Sequence, residues 1–216
     1  MARSDRTGKR KERNQRSPKK IPQLGYYLIV TDASGTEPNY FYGLHESLDA
    51  SIKDKIVIKV VEARTQNLIQ KCLELTAYEA QYRIPWIVFD RDQVVNFDSI
   101  IEQAKSNNIN VGWSNPCFEI WMFAYCGNMP KIIESQLCCS KFGTEFKKRT
   151  GNEYEKNDRD IYKKLKKYGD EEKAISVAQQ RYEQYIKEGY LQPSKMLGCS
   201  TLYMLVSEIN NKIIRG

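Results

Sequence analysis

Histidine occurs once in the 216 residues, at His45. The six cysteines (Cys72, Cys117, Cys126, Cys138, Cys139, Cys199) contain no CxxC pair. These two scarcities speak against a structural zinc site and against a secreted disulfide framework. The expected state is reduced thiols in a reducing compartment. No stretch reaches the 18 or so consecutive apolar residues of a membrane span, and no signal-peptide pattern is present. The expectation is a soluble, cytoplasmic protein with no membrane partner. There is no GxxxxGK[ST] loop, so P-loop ATP hydrolysis is excluded. No internal repeat is found.

Charge is present but uneven. The chain carries a net +7, and residues 1–20 alone hold nine Lys or Arg against two acids. The remainder then has 25 residues of each sign and is neutral. A tail so polar, without apolar periodicity, is expected to be disordered when free. Basic arms of this kind contact nucleic-acid phosphates or simply keep a protein soluble, and composition leaves both open. The expected organisation is a basic tail over 1–24, a catalytic core over 25–128 and a helical extension over 129–216 packed on that core.

Two stretches organise the body. Tyr26-Tyr27-Leu28-Ile29-Val30-Thr31 runs into Asp32-Ala33-Ser34-Gly35-Thr36-Glu37-Pro38-Asn39, and Pro85-Trp86-Ile87-Val88-Phe89 runs into Asp90-Arg91-Asp92. Each is a short apolar β run that stops at carboxylates. Such runs, with helical patterns between them, belong to a parallel sheet covered on both faces. Strands are expected at Tyr26–Thr31, Lys55–Val61, Pro85–Phe89 and Ile109–Trp113. Helices are expected from Thr36 with Tyr40, Phe41, Leu44 and Leu48 on one face, from Thr65 or Gln66 to Tyr82, and over Phe97–Asn107. Thr36 is the expected N-cap of the first helix. The order β-α-β-α-β-α-β predicts an α/β fold with a mainly parallel four-stranded sheet, doubly wound, flanked by helices.

In Ser114-Asn115-Pro116-Cys117-Phe118-Glu119-Ile120-Trp121, Asn115 and Pro116 fit an N-cap and a first helical position. Glu119 sits among large apolar neighbours, so it must turn to solvent or find a partner. Residues 131–150 and 154–190 read as helices rich in bases: Lys147-Lys148-Arg149, then Lys163-Lys164. Aromatics lie between them (Phe142, Phe146, Tyr154, Tyr162, Tyr168, Tyr182, Tyr185). The mixture suits stacking and phosphate contact on nucleic acid, or an amphipathic appendage with solvated lysines. A last helix is expected over Ser200–Ile214.

In a doubly wound sheet, ligands bind outside the carboxyl ends of the strands where strand order reverses. Neighbouring strands one and three would bring Glu37, Asp90 and Asp92 together there. Like charges in one spot raise each other's pKa, and a divalent cation relieves this. All-oxygen ligands select Mg²⁺, Mn²⁺ or Ca²⁺. With strand geometry continued, Asp90 and Asp92 at i and i+2 share a side. Arg91 then points away or toward a phosphate. Glu37 alone also reads as a first-turn carboxylate that complements a helix dipole. Asp32, ending strand one, suggests a HAD-type phosphatase, but that chemistry needs a second Asp at position 34, where this chain has Ser.

The strings Thr31-Asp32…Gly35-Thr36-Glu37-Pro38-Asn39-Tyr40-Phe41, Val88-Phe89-Asp90-Arg91-Asp92 and Ser114-Asn115-Pro116-Cys117-Phe118-Glu119-Ile120-Trp121 resemble the RloB-like family over about residues 25–210. Those are small prokaryotic proteins with a Toprim domain, the metal-binding Rossmann-like fold of topoisomerases, primases and OLD-family nucleases. The resemblance implies a Toprim-like core and a metal-dependent nuclease of phage defence, cutting RNA (tRNA among the candidates) or DNA. It matches Glu37 to the Toprim glutamate, and Asp90 and Asp92 to the metal-binding DxD, with Mg²⁺ or Mn²⁺ as cofactor. It matches Glu119, more loosely, to an acidic residue that helps hold a second ion. Lys156 looks like a family lysine placed to stabilise transition-state charge, though it also reads as a surface lysine. Arg91, Lys147, Lys148, Arg149, Lys163 and Lys164 are the candidate nucleic-acid contacts. An ATPase encoded nearby is the implied partner, and a homo-oligomer stays open. The alternative is a nucleic-acid-binding partner of such an ATPase, with a structural metal site and no cleavage of its own.

Overall fold

The computed structural model describes residues 22–32, 35–77, 83–92 and 94–215. The basic segment 1–20, and with it nearly all of the expected 1–24 tail, lies outside the described residues, as does the expected end of the second helix at 78–82.

Five strands are present among the described residues: β1 (Gly25–Thr31), β2 (Ile56–Glu62), β3 (Arg83–Asp90), β4 (Asn110–Asn115) and β5 (Cys199–Ser200), in the order β2-β1-β3-β4-β5. The first four are parallel, as the apolar runs predict. β1 lies between β2 and β3, so strand order reverses at the β1/β3 boundary. Two-residue periodicity sends successive side chains to opposite faces. Tyr27, Ile29, Trp86 and Val88 join one buried cluster, and Leu28, Val30, Ile87 and Phe89 join the other.

Helices α1 (Thr36–Glu46), α5 (Glu119–Ala124) and α9 (Leu202–Arg215) cover the first face. Helices α3 (Leu68–Ala77) and α4 (Phe97–Ser106) cover the second. A short α2 (Ala50–Lys53) leads into β2. All six residues of α5 are buried. A helix apolar on every side belongs in a core, and α5 is the central post of the molecule. Helices α6 (Ser135–Thr150) and α8 (Glu171–Lys187) pack on it, and α7 (Ile161–Tyr168) packs on α1. Their Phe142, Phe146, Ile161, Leu165 and Ala174 belong to the same cluster as Tyr27 and Tyr40. Tyr40 is the aromatic hub, meeting Phe41, Phe118, Trp121, Tyr125 and Tyr162 edge-on at centroid distances from 5.1 to 6.4 Å. Such pairs are each worth about 0.5–1.5 kcal/mol beyond their buried area.

Three expectations change. The interleaved aromatics of the extension are mostly core: Phe142, Phe146, Tyr162 and Tyr185 are buried and cannot stack on a nucleic acid. β5 was not expected. It pairs antiparallel with Ser114–Asn115, making the sheet mixed, and it takes Ser200 out of the last helix, which starts at Leu202. The helix expected from Pro116 starts instead at Glu119, because Asn115 is held in β4 by β5 and by its Nδ2 donating to the carbonyls of Pro193 and Ser194.

Candidate metal centre

The carboxyl ends of β1, β3 and β4 open into a cleft of about 680 Å³ whose lining includes Asp32, Glu37, Asp90, Asp92, Glu119 and Lys156. Each acid arrives by a different local route. Asp32 follows β1 directly, its amide donating to Val88 O at 3.2 Å. Asp90 is the last residue of β3. The chain then turns sharply: Arg91 N donates to Ser114 O and Asp92 N to Pro116 O, both at 2.9 Å. Asp92 has φ 22°, a positive value that Asp tolerates better than most side chains. Asp90 and Asp92 therefore do reach one cleft, but through this turn and not through continued strand alternation.

Glu37 is in the first turn of α1 and is 6% exposed. Gly35, not Thr36, occupies the cap position, with φ 152°, a conformation favouring glycine. A Cβ there would also stand 3.2 Å from Asn157 Oδ1. Thr36 is inside the helix and uses its hydroxyl elsewhere, donating to Lys156 O at 2.9 Å and bonding the Tyr154 hydroxyl at 3.1 Å. These contacts hold the 154–157 loop against the start of α1.

The four inner carboxyls are electrostatically crowded. Asp90 Oδ2 accepts the Phe118 amide at 2.8 Å, while Oδ1 is buried with no donor. Burial, then the charges of Glu37, Asp32 and Glu119, push Asp90 well above the usual carboxylate range. Burial, then Asp32 and Glu119, raises Glu37 to about 7. Burial raises Asp32 to about 6, with Asp92 adding to it and a 3.0 Å bond from the Thr65 hydroxyl working against it. Removing water from acids crowded against other acids disfavours their charged forms. Among the described residues Lys156, at the mouth, reaches no acid but Glu119, so a divalent cation would give the inner carboxylates a counter-charge and Asp90 Oδ1 a partner.

Glu119, 2% exposed, finds the partner its apolar setting demands: Tyr154 OH donates to Oε1 at 2.8 Å, and Lys156 Nζ lies 3.9 Å from the same oxygen. Lys156 is itself mostly exposed, at the mouth of the cleft. Sequence reading proposed no cysteine cluster, and here it is corrected. Cys117, Glu119 and Cys139 bring their ligand atoms within 4.8 Å of one another. Cys117 precedes α5 and Cys139 lies on α6, so no local spacing announced the pair.

The other basic candidates are scattered. Lys147 pairs with Glu153, Arg149 with Glu145 at 2.6 Å, Lys164 with Asp158 at 2.7 Å, and Lys163 with Asp160 at 3.2 Å and Glu46 at 3.5 Å. Lys148 is exposed, and Arg91 is half-buried in the turn after β3. Lys147 lines a second groove with Cys139, Tyr154 and Lys156, which meets the cleft at Lys156. Lys163 faces a different groove, beside Ser47 and Tyr162. Asp32 and Thr65 line the cleft, and Tyr154 lines the adjoining groove while bonding Glu119; none of the three was among the expected site residues. The position of Asp32 at a strand's carboxyl end was the signal available for it.

A mainly parallel sheet with its acids at the β1/β3 reversal defines a Rossmann-like α/β protein of Toprim-like type. The chain belongs to the RloB-like family: the family model described as RloB-like protein matches residues 27–209. No curated protein and no solved structure matches it. Among the described residues no helix is long and apolar enough to cross a membrane.

Proposed function

We infer that this RloB-like protein is a divalent-metal-dependent nuclease, an effector of prokaryotic phage defence that cleaves RNA (tRNA among the candidates) or DNA. The observation that carries the reading is the set of Glu37, Asp90 and Asp92 around one cleft at the strand-order reversal, with Asp90 Oδ1 buried and without a donor.

Glu37, Asp90 and Asp92 would hold Mg²⁺ or Mn²⁺, with Glu119 serving a second ion. When bound, such ions polarise a phosphodiester and lower the pKa of attacking water. The chain's own groups do the rest. Burial and the neighbouring acids raise Glu37 to about 7 without metal, so it is an acid whose ionised form a bound cation would restore. Lys156 offers an exposed ammonium at the cleft mouth, where it can meet charge building on a phosphate. Lys147 extends this positive edge along the adjoining groove. Arg91, Lys148, Arg149, Lys163 and Lys164 serve as weaker phosphate contacts, several of them by exchanging an internal acid for a phosphate. The basic 1–20 segment adds sequence-independent attraction. An ATPase encoded nearby is the proposed partner.

The test is cleavage by the purified protein with Mn²⁺ or Mg²⁺, on tRNA and on plasmid, with and without the neighbouring ATPase. Expected is cutting that EDTA abolishes. Nucleic-acid binding with no cutting under any of these conditions would leave the binding partner with a structural metal site as the better reading.

A further inference from the structure

We propose that Cys117, Cys139 and Glu119 form a second metal site, for a thiophilic divalent ion such as Zn²⁺, that competes with the acidic cleft for Glu119. The three ligand atoms lie within 4.8 Å of one another. With Zn–S bonds of about 2.3 Å, tetrahedral ligands stand about 3.8 Å apart, so closing the site needs a contraction of an ångström or less. Two thiolates and a carboxylate select Zn²⁺ over Mg²⁺, which prefers oxygen alone. Three protein ligands leave a fourth position for water.

The surroundings suit an exchangeable ion. Cys139 lines the groove shared with Tyr154 and Lys156, which provides an entry path, while Cys117 is buried and fixes the inner end. Tyr154 OH, at 2.8 Å from Glu119 Oε1, orients the carboxylate. On binding, both thiol protons pass to solvent as two Zn–S bonds form, and no oxidant or reductant is involved. Two thiolates and one carboxylate leave the loaded site with one negative charge, and the Lys156 ammonium 3.9 Å from Glu119 is placed to balance it. The competition for Glu119 rests on the nuclease reading of the cleft, whereas the site itself rests on the two sulfurs and one carboxylate.

The probe is Co²⁺ added to the full-length, reduced, metal-free protein. Expected is a thiolate-to-cobalt charge-transfer band saturating at one equivalent, bleached by one equivalent of Zn²⁺ and unaffected by excess Mg²⁺. Cys139→Ser should remove the band and weaken Zn²⁺ by ~100-fold or more, since groups that only orient a ligand already account for ~10–100-fold. Cys126→Ser should leave both unchanged. In the parent protein, one equivalent of Zn²⁺ should weaken Mg²⁺ binding, read by calorimetry, by ~10-fold. Absence of the band in the parent overturns the site whatever the variants do, and so does its survival in Cys139→Ser. Unchanged Mg²⁺ affinity overturns the competition. A protein that shows the band but neither binds Mg²⁺ nor cleaves would instead count against the nuclease reading.

Discussion

The Phe118 amide donates to Asp90 Oδ2 at 2.8 Å, so the end of β3 is tied to the residue that opens α5. One oxygen of Asp90 is thereby fixed and the other, Oδ1, is left buried without a donor beside Glu37. The same turn carries Glu119 into the cleft, so a single backbone bond relates the two acidic motifs.

This crowding makes stability pH-dependent in the metal-free protein. Glu37 stands at about 7 against an ordinary 4.5, and Asp32 at about 6 against 3.8. Both are raised in the fold, so the folded state holds protons that the unfolded chain releases. Their contribution is complete below about pH 4, falls as pH rises and is gone above about pH 7. Expected in EDTA is a Tm roughly 5–15 °C lower at pH 8 than at pH 5, from a loss of a few kcal/mol. Saturating Mg²⁺ should raise Tm more at pH 8 than at pH 5. A flat or rising Tm in EDTA across this window would contradict the crowding.

The sheet was legible because β1 and β3 are buried through their centres, and their short apolar runs are bounded by turn signals with helical patterns between them. Asp90 was legible because it stands where the β3 run stops, and Glu37 because it opens the helix that follows β1. Asp92 lies in the cleft lining, but its placement depends on a positive-φ turn that no periodicity announces. The cysteine cluster was hidden, because Cys117 and Cys139 meet only when α6 docks on α5. Asn115-Pro116 carried a strong helix-start signal, but pairing with β5, far along the chain, overrode it. The extension's aromatics looked like a stacking surface because interleaving with lysine is common to amphipathic helices and nucleic-acid platforms. Only packing against α5 separates the two.

Glu171 should prove a structural acid. It is buried, and it accepts from Tyr125 OH at 2.7 Å, Asn210 Nδ2 at 3.0 Å and Lys166 Nζ at 3.1 Å, with Tyr40 OH 2.7 Å from Tyr125 OH behind them. Glu171→Ala strands the buried Tyr125 hydroxyl, the Asn210 amide and the Lys166 ammonium at the α8/α9 junction. A loss of about 2–4 kcal/mol is expected in urea unfolding with the m-value unchanged. Glu171→Gln keeps the acceptor and should lose less. Equal stability of the Ala variant and the parent would show that water replaces the carboxylate.

Removing residues 1–20 takes away nine bases and two acids from a chain whose remainder is neutral. Among the described residues Leu24 is the first packed against the core, so folding should be unaffected. Nucleic-acid binding should weaken, and its logarithmic dependence on salt should flatten by up to about 8, from nine phosphate contacts at roughly 0.9 each. An unchanged slope would reduce the segment to a solubiliser.

Asp92→Asn separates a catalytic cleft from an incidental one. Asparagine accepts the φ of 22° as well as aspartate does, and its amide oxygen can keep the 2.7 Å bond from the Ser135 hydroxyl that Asp92 Oδ1 now receives. The fold should therefore survive. In EDTA the variant should be level with the parent or more stable, because a charge that raises Asp32 is gone. The added Tm from Mg²⁺ should shrink, because an anionic ligand is lost. Cleavage should fall by ~100-fold or more, equivalent to about 2.7 kcal/mol of transition-state stabilisation. The three readouts must move together for the nuclease reading to stand. A fall in cleavage with undiminished Mg²⁺ stabilisation would place Asp92 on substrate and not on metal. Parent-like cleavage by both Asp92→Asn and Glu37→Gln would remove the cleft from the chemistry and leave the nucleic-acid-binding partner as the function.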